Sequence, residues 1–246
     1  MRLINNKGVN FLKKTIIFDL DGTLIDIKKA QNTAVKILYN TFCFNGKTDL
    51  QTFVTKWDEL TDYHYAFYSK KEISYQEQRI RRVVDLFKFF DINLDNDPLV
   101  VYDIYLKEFE NNWAVYDDVI ETLEQLKSNN YSLGVFSNGD LSQQTDKCVR
   151  TGISKYFDII TTSSEYPFSK PNPRVFDAII KKFNLIPSDC TYIGDDYLKD
   201  FVASTSAGMI GIFLNRNNQN IMDPNLVEIK SLIEVLPIVE DNKKLK

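Results

Sequence analysis

From about Trp113 to the end of the chain, helix-like and strand-like segments alternate with short connections, and this alternation leaves few architectures open. Periodicity predicts helices over 117–129, 141–151, 173–184 and 197–207 and strands over 132–136, 157–161, 190–193 and 209–214, closed by a last strand near 226–229 and a short helix near 231–236. Strands separated by helices run parallel, and a parallel sheet has to be covered on both faces. Residues 15–20, a short β-branched apolar run, read as one more buried strand of that sheet. Between about 27 and 112, stretches such as AQNTAVKILYNTF, TFVTKWDELTDYHYAFY, RIRRVVDLFKFF and VVYDIYLKEF carry apolar residues at three- and four-residue spacing, which predicts four or so amphipathic helices. The expected fold class is α/β: a Rossmann-like, doubly wound parallel sheet built from 1–26 and 113–246, with an all-helical domain of 27–112 inserted into it.

At 246 residues, 43% of them hydrophobic and 26% charged, the chain suits one large domain or a core with a smaller lobe, and it can bury a sizeable interior. A net charge of −4 without a dense Lys/Arg stripe argues against a nucleic-acid partner and for small molecules. The leader MRLINNKGVNFLKK lacks the continuous apolar region of a signal peptide, and no run approaches the roughly 18 residues that span a bilayer. The expectation is a cytoplasmic protein with no membrane partner, frayed at polar ends such as EDNKKLK. Cys43, Cys148 and Cys190 stand far apart with no CxxC pair and read as reduced packing residues. His64 is the single histidine, which removes multi-histidine metal sites and leaves one candidate for any triad; in its aromatic, helix-like surroundings it reads as structural or at a pocket rim. Catalysis, if there is any, falls to carboxylates.

Ligands of an open parallel sheet bind beyond the carboxyl ends of the strands. Asp19, Asp21, Gly22 and Thr23 follow the first strand, Ser137 and Asn138 the second, Lys170 lies in the loop after the third, and Gly194, Asp195, Asp196 and, a helical turn later, Asp200 follow the fourth. Five carboxylates at one sheet edge raise one another's pKa and resist ionisation unless a cation intervenes. All-oxygen ligands favour Mg²⁺, which takes one or two carboxylates and completes its shell with water and phosphate oxygens. Lys170 adds a second positive charge, and Ser137 with nearby backbone N–H groups can hold phosphate oxygens, so the set describes a phosphate pocket.

DLDGTL, SNG, SKPNP and GDDYLKD, in that order and each after a predicted strand, resemble the four motifs of the haloacid dehalogenase (HAD) superfamily, and TTSSEYPFSKPNPRVFDAI is especially similar to its phosphatases. The resemblance covers about 15–26 and 113–236, and the helical stretch stands where such proteins carry a cap. It implies a Mg²⁺-dependent phosphatase that hydrolyses a small phosphate monoester, of the nucleotide or sugar phosphate type, through an aspartyl-phosphate. It implies Asp19 as nucleophile, Asp21 as general acid and then general base, and Lys170 opposite Asp19. Asp19, Asp195 and the backbone carbonyl of Asp21 would bind the metal, with Asp200 supporting that shell or orienting Lys170; Thr23, Ser137, Asn138 and Lys170 would hold phosphate. Asp196 stands between a supporting role and a solvent-facing one, and Asp26 reads as structural or as a cap hinge.

Three other readings are weaker. Dehalogenases of this fold lack an acid two residues after the nucleophile, because halide leaves without a proton, whereas Asp21 is present. The phosphoglucomutase pattern has a histidine early in the cap, where DIKKAQNTAVK has none. A non-catalytic binding module would be expected to lose Asp19 or Lys170 first, and both are there. Phe53, Trp57, Tyr63, Tyr65, Phe67 and Tyr68 either stack a nucleobase or, more simply, pack the cap helices together. A monomer and a homodimer are equally compatible with the sequence.

Overall fold

A computed structural model describes residues 14–42 and 44–241, so most of the leader, Cys43 and the last five residues lie outside the described chain. Its strands are β1 (Thr15–Phe18), β2 (Ser132–Ser137), β3 (Ile159–Thr162), β4 (Cys190–Gly194), β5 (Ile210–Leu214) and β6 (Glu228–Ile229). They form one sheet in the order β3-β2-β1-β4-β5-β6, with every neighbouring pair parallel. The order reverses between β1 and β4, and a reversal of this kind opens a crevice at the carboxyl ends of the two strands. The register pairs Phe18 with Val135 on one side and with Ile193 on the other, so the residues that follow β1, β2 and β4 emerge at one edge.

The chain folds as two compact units, one of residues up to Ile25 together with Val115 onward, the other of Asp26–Ala114. In the first, the TIIF strand is buried throughout, as a central parallel strand has to be. One side of it packs on α7 (Arg174–Phe183), whose Val175, Phe176 and Ile179 join Phe136 and Tyr192 in one apolar cluster. Helices α5 (Val119–Ser128) and α6 (Leu141–Arg150) flank β2 in the chain. Cys148 and Cys190 are buried free thiols, in keeping with packing roles.

The second unit holds α1 (Ile27–Thr41), α2 (Leu50–Ser69), α3 (Tyr75–Phe89) and α4 (Pro98–Asn111). Each begins on a residue whose side chain accepts a backbone N–H of the first turn: Asp26, Asp49, Ser74 and Asp97. Asp26 is thus the N-cap of α1, accepting from Lys29 at 3.0 Å. Phe44, Phe53, Trp57, Leu86, Phe87 and Tyr105 fill the interior of this bundle. His64 is buried in α2 with Nε2 2.8 Å from an Asp85 carboxylate oxygen, and burial pushes its pKa down, so it is a structural residue of the bundle. Phe53 and Trp57 belong to the packing, whereas Tyr63 is 58% exposed. Among the described residues no helix is long and apolar enough to cross a membrane.

Two local expectations change. The segment predicted as a helix over 197–207 is a π-helical stretch, Tyr197–Val202, continued by a short α8 (Ala203–Ser206). Wide turns of this type are frequent at functional sites, and this one carries Asp200. The terminal helix predicted near 231–236 is a 3₁₀ turn, Leu232–Glu234, leading into α9 (Val235–Glu240).

Candidate active site

Asp19 is the first residue beyond β1, yet it still donates its N–H to the Ile193 carbonyl at 2.8 Å, so its backbone is fixed by the sheet. Its carboxylate accepts from Lys170 Nζ at 2.7 Å. The same ammonium donates to Asp200 Oδ1 at 2.6 Å and to the Tyr192 hydroxyl at 2.9 Å, and Tyr192 in turn donates to the Phe136 carbonyl at 2.7 Å. All three partners of Lys170 are buried, as is Lys170 itself. Lys170 is therefore not a solvated charge at the start of α7. Burial opposes its charge, but Asp19 and Asp200 outweigh that and hold the ammonium well above the usual lysine value.

Asp195 follows β4, half-buried, and accepts from the Thr23 hydroxyl at 3.0 Å. Asp19, Asp195 and Asp200 each offer a carboxylate oxygen within 4.8 Å of the others. One lysine does not neutralise three acids. Burial first, and then the neighbouring carboxylates, raise Asp19 to about 7 and Asp195 to about 6. Two glycines make this crowding possible. A Cβ on Gly22, which sits at φ +87°, would lie 2.4 Å from Asp195 Oδ2, and one on Gly194 would lie 2.3 Å from the Asp200 carboxylate.

Of the five acids read at this edge, Asp19, Asp195 and Asp200 converge on one another. Asp21 turns to different partners: Lys147 Nζ donates to both its oxygens at 2.7 Å, and Gln144 Nε2 donates to Oδ2 at 2.9 Å. Asp196 caps the π-helical stretch, accepting from Leu198 N at 3.1 Å and Lys199 N at 2.9 Å while pairing with Lys199 Nζ at 2.6 Å. It is an N-cap whose side chain is 38% exposed, on the solvent-facing side of the two roles read from the sequence.

On the β2 side, Ser137 is buried, accepting from Gln144 Nε2 at 2.9 Å. Asn138 spends both ends of its amide on the Lys170 backbone, Nδ2 to the carbonyl and Oδ1 from the N–H, each at 3.0 Å. The amide thereby places the Lys170 backbone. The structure adds residues the sequence reading missed: Lys147, Gln144, Tyr192 and a brace made by Arg216. Arg216 pairs with both oxygens of Asp118 at 2.9 and 2.8 Å and donates to the Thr23 carbonyl at 3.1 Å.

The raised acids set a pH dependence. A carboxyl raised above its ordinary value stabilises the fold through its neutral form; that contribution is complete below the ordinary pKa of 3.8 and is lost as pH rises through the folded value, about 7 for Asp19. Asp19→Asn keeps the shape without the charge. In chelator, the melting temperature of this variant minus that of the parent should grow from about zero near pH 4 to a clear gain by pH 8. A gain of about 1 kcal/mol would read as roughly 2–4 °C in a chain of this size. A pH-independent difference would mean that the three-acid edge is not under charge strain.

Residues 16–213 match the family described as haloacid dehalogenase-like hydrolase. A glyceraldehyde 3-phosphate phosphatase of Methanothermobacter thermautotrophicus is 26% identical over 210 residues, covering 82% of this chain and 85% of that protein. The pyrimidine 5′-nucleotidase PynA of Streptococcus pneumoniae is 26% identical over 204 residues, covering 82% of this chain and 84% of its own. Among solved structures, the HAD-hydrolase YfnB from Bacillus subtilis is similar with a TM-score of 0.75 at 19% identity, over 92% of this chain and 98% of that one, a likeness of fold. The family match takes in β1 through most of β5, with all four strand ends that build the acid–lysine cluster. By that match the chain belongs to the haloacid dehalogenase-like hydrolases.

Proposed function

We propose that this hydrolase is a Mg²⁺-dependent phosphatase of small phosphate monoesters, working through an aspartyl-phosphate on Asp19. The observation that carries the reading is the convergence of Asp19, Asp195 and Asp200 around Lys170 at the carboxyl ends of β1 and β4. Raised pKa values at Asp19 and Asp195 mark a surplus of negative charge, which suits a bound divalent cation. Asp19, Asp195 and the Asp21 backbone carbonyl would hold Mg²⁺, with Asp200 supporting that shell, and all-oxygen donors fit that ion. When bound, Mg²⁺ supplies positive charge to the acids and to the oxygens of the transferred phosphoryl group.

The protein's own groups then divide the work. Lys170, held by Asp200, Tyr192 and Asn138, aims Asp19 and offsets part of the cost of its charge, and offers a charge to a phosphate oxygen. An Asp19 oxygen attacks phosphorus as the ester oxygen leaves with a proton from Asp21. Asp21 then takes a proton from the water that attacks the acyl phosphate, so the acid of the first step is the base of the second. The Ser137 hydroxyl and backbone N–H groups beside it hold phosphate oxygens, and Thr23 keeps Asp195 in place.

The relatives are named for a triose phosphate and for pyrimidine nucleotides, both of which are small monoesters. A panel of sugar phosphates and nucleoside monophosphates, read by phosphate release with Mg²⁺ and again after exhaustive chelation, tests the reading. At least one should be hydrolysed with Mg²⁺ and none after chelation. Halide release from a 2-haloacid without phosphate release from any ester would overturn it, as would full turnover in chelator.

A further inference from the structure

Asp21 is not held by the metal-facing acids but by a helix. Gln144 and Lys147 lie three residues apart on α6, hence on one face of it, and both are buried, at 2% and 3% exposure. The Lys147 ammonium straddles the Asp21 carboxylate, 2.7 Å from each oxygen, which fixes the plane of the group as well as its position. Gln144 makes the second contact, 2.9 Å to Oδ2, and the same amide nitrogen reaches Ser137 Oγ at 2.9 Å and the Asn138 carbonyl at 3.2 Å. Reversing that amide would set its oxygen against two groups that only accept, the Asp21 carboxylate and the Asn138 carbonyl. Asp21 is thereby registered to the end of β2, where phosphate oxygens would sit.

The backbone does not supply this register. Gly22, at φ +87°, turns the chain but leaves the Asp21 side chain free to choose among rotamers. Nor is stability a sufficient reason, because burying a lysine costs several kcal/mol, and an apolar pair of similar volume often serves a fold as well or better. A buried lysine spent on a part-exposed carboxylate beside the reacting groups is better explained by the geometry it enforces.

We propose that Lys147, with Gln144 as its neutral partner, is a positioning residue for Asp21 that fixes the acid–base carboxylate relative to the phosphate site. This rests on the phosphatase reading above. Lys147→Met keeps most of the stem's bulk and removes the clamp. Hydrolysis of an alkyl phosphate, whose leaving oxygen needs the Asp21 proton, should fall about 10- to 100-fold, the scale of loss from a misplaced catalytic group. The first turnover of nitrophenyl phosphate, whose leaving group departs without a proton, should stay within about threefold. In an Asp21→Asn background, adding Lys147→Met should change neither rate further, since two residues acting as one unit are not additive. If Lys147→Met does not fold, Lys147→Gln carries the same expectation, because its shorter amide cannot straddle both Asp21 oxygens. Equal losses on both esters in a folded variant, or losses that add to those of Asp21→Asn, would overturn the assignment while leaving the phosphatase reading intact. A parent enzyme that hydrolyses neither ester would overturn both.

Discussion

Lys170→Met should lower phosphate-ester turnover by about 10²–10³-fold, the usual cost of removing one preorganised charge from a transition-state site. The ammonium has three buried partners, Asp19, Asp200 and Tyr192, and methionine replaces its stem but none of its three donated hydrogen bonds. Breaking a buried ion pair from one side strands the other, at about 3–5 kcal/mol. The stranded acids can escape by taking up protons, so the loss of stability should be larger at pH 8 than at pH 5. Urea titrations at the two pH values and steady-state rates at saturating Mg²⁺ measure both effects. Activity within about threefold of the parent would mean that Lys170 supports the fold and does not meet the phosphate.

Asp21→Asn separates the two halves of the reaction. Asparagine keeps the shape and the backbone carbonyl, but it can neither donate the acid's proton nor accept one from water. An alkyl phosphate should therefore be turned over at least about a hundredfold more slowly. With nitrophenyl phosphate, the first step needs no proton, whereas hydrolysis of the acyl phosphate has lost its base. Rapid-mixing traces should show a burst of about one nitrophenol per site and then a weak steady state. Some stability should be lost as well, because Lys147 is left buried opposite a neutral amide. Equal slowing of both esters without a burst would remove Asp21 from acid–base chemistry.

Much of this was legible in the sequence, for a definite reason. Asp19 and Asp195 stand just after strands whose apolar runs announce themselves, and Lys170 in the loop after a third; a parallel sheet brings such positions together whatever lies between them. Asp200 was legible from its motif, although the π-helical turn that carries it was not. The partners of Asp21 and Asp196 were not legible, because a strand-end position does not say which way a side chain turns. Their true partners sit on helices: Lys199 three residues on, Gln144 and Lys147 far along the chain. A signal for the latter pair did exist. The buried face of α6 is Gln144, Lys147 and Cys148, two polar residues where helical periodicity asks for apolar ones. No comparable signal marks Arg216, whose bond to the Thr23 carbonyl spans most of the α/β unit in sequence.

The central claim is that a carboxylate at the end of β1 becomes phosphorylated. Quenching the enzyme during turnover of a good substrate, reducing it at once with borohydride and mapping the peptides tests this directly, because borohydride converts an acyl phosphate, and not a free carboxylate, to an alcohol. The expected product is homoserine at position 19 in place of Asp19, formed only with substrate and Mg²⁺, and enriched in Asp21→Asn, where the acyl phosphate accumulates. An unmodified Asp19 in a quenched Asp21→Asn burst, or homoserine at Asp195 or Asp200 instead, would contradict the account.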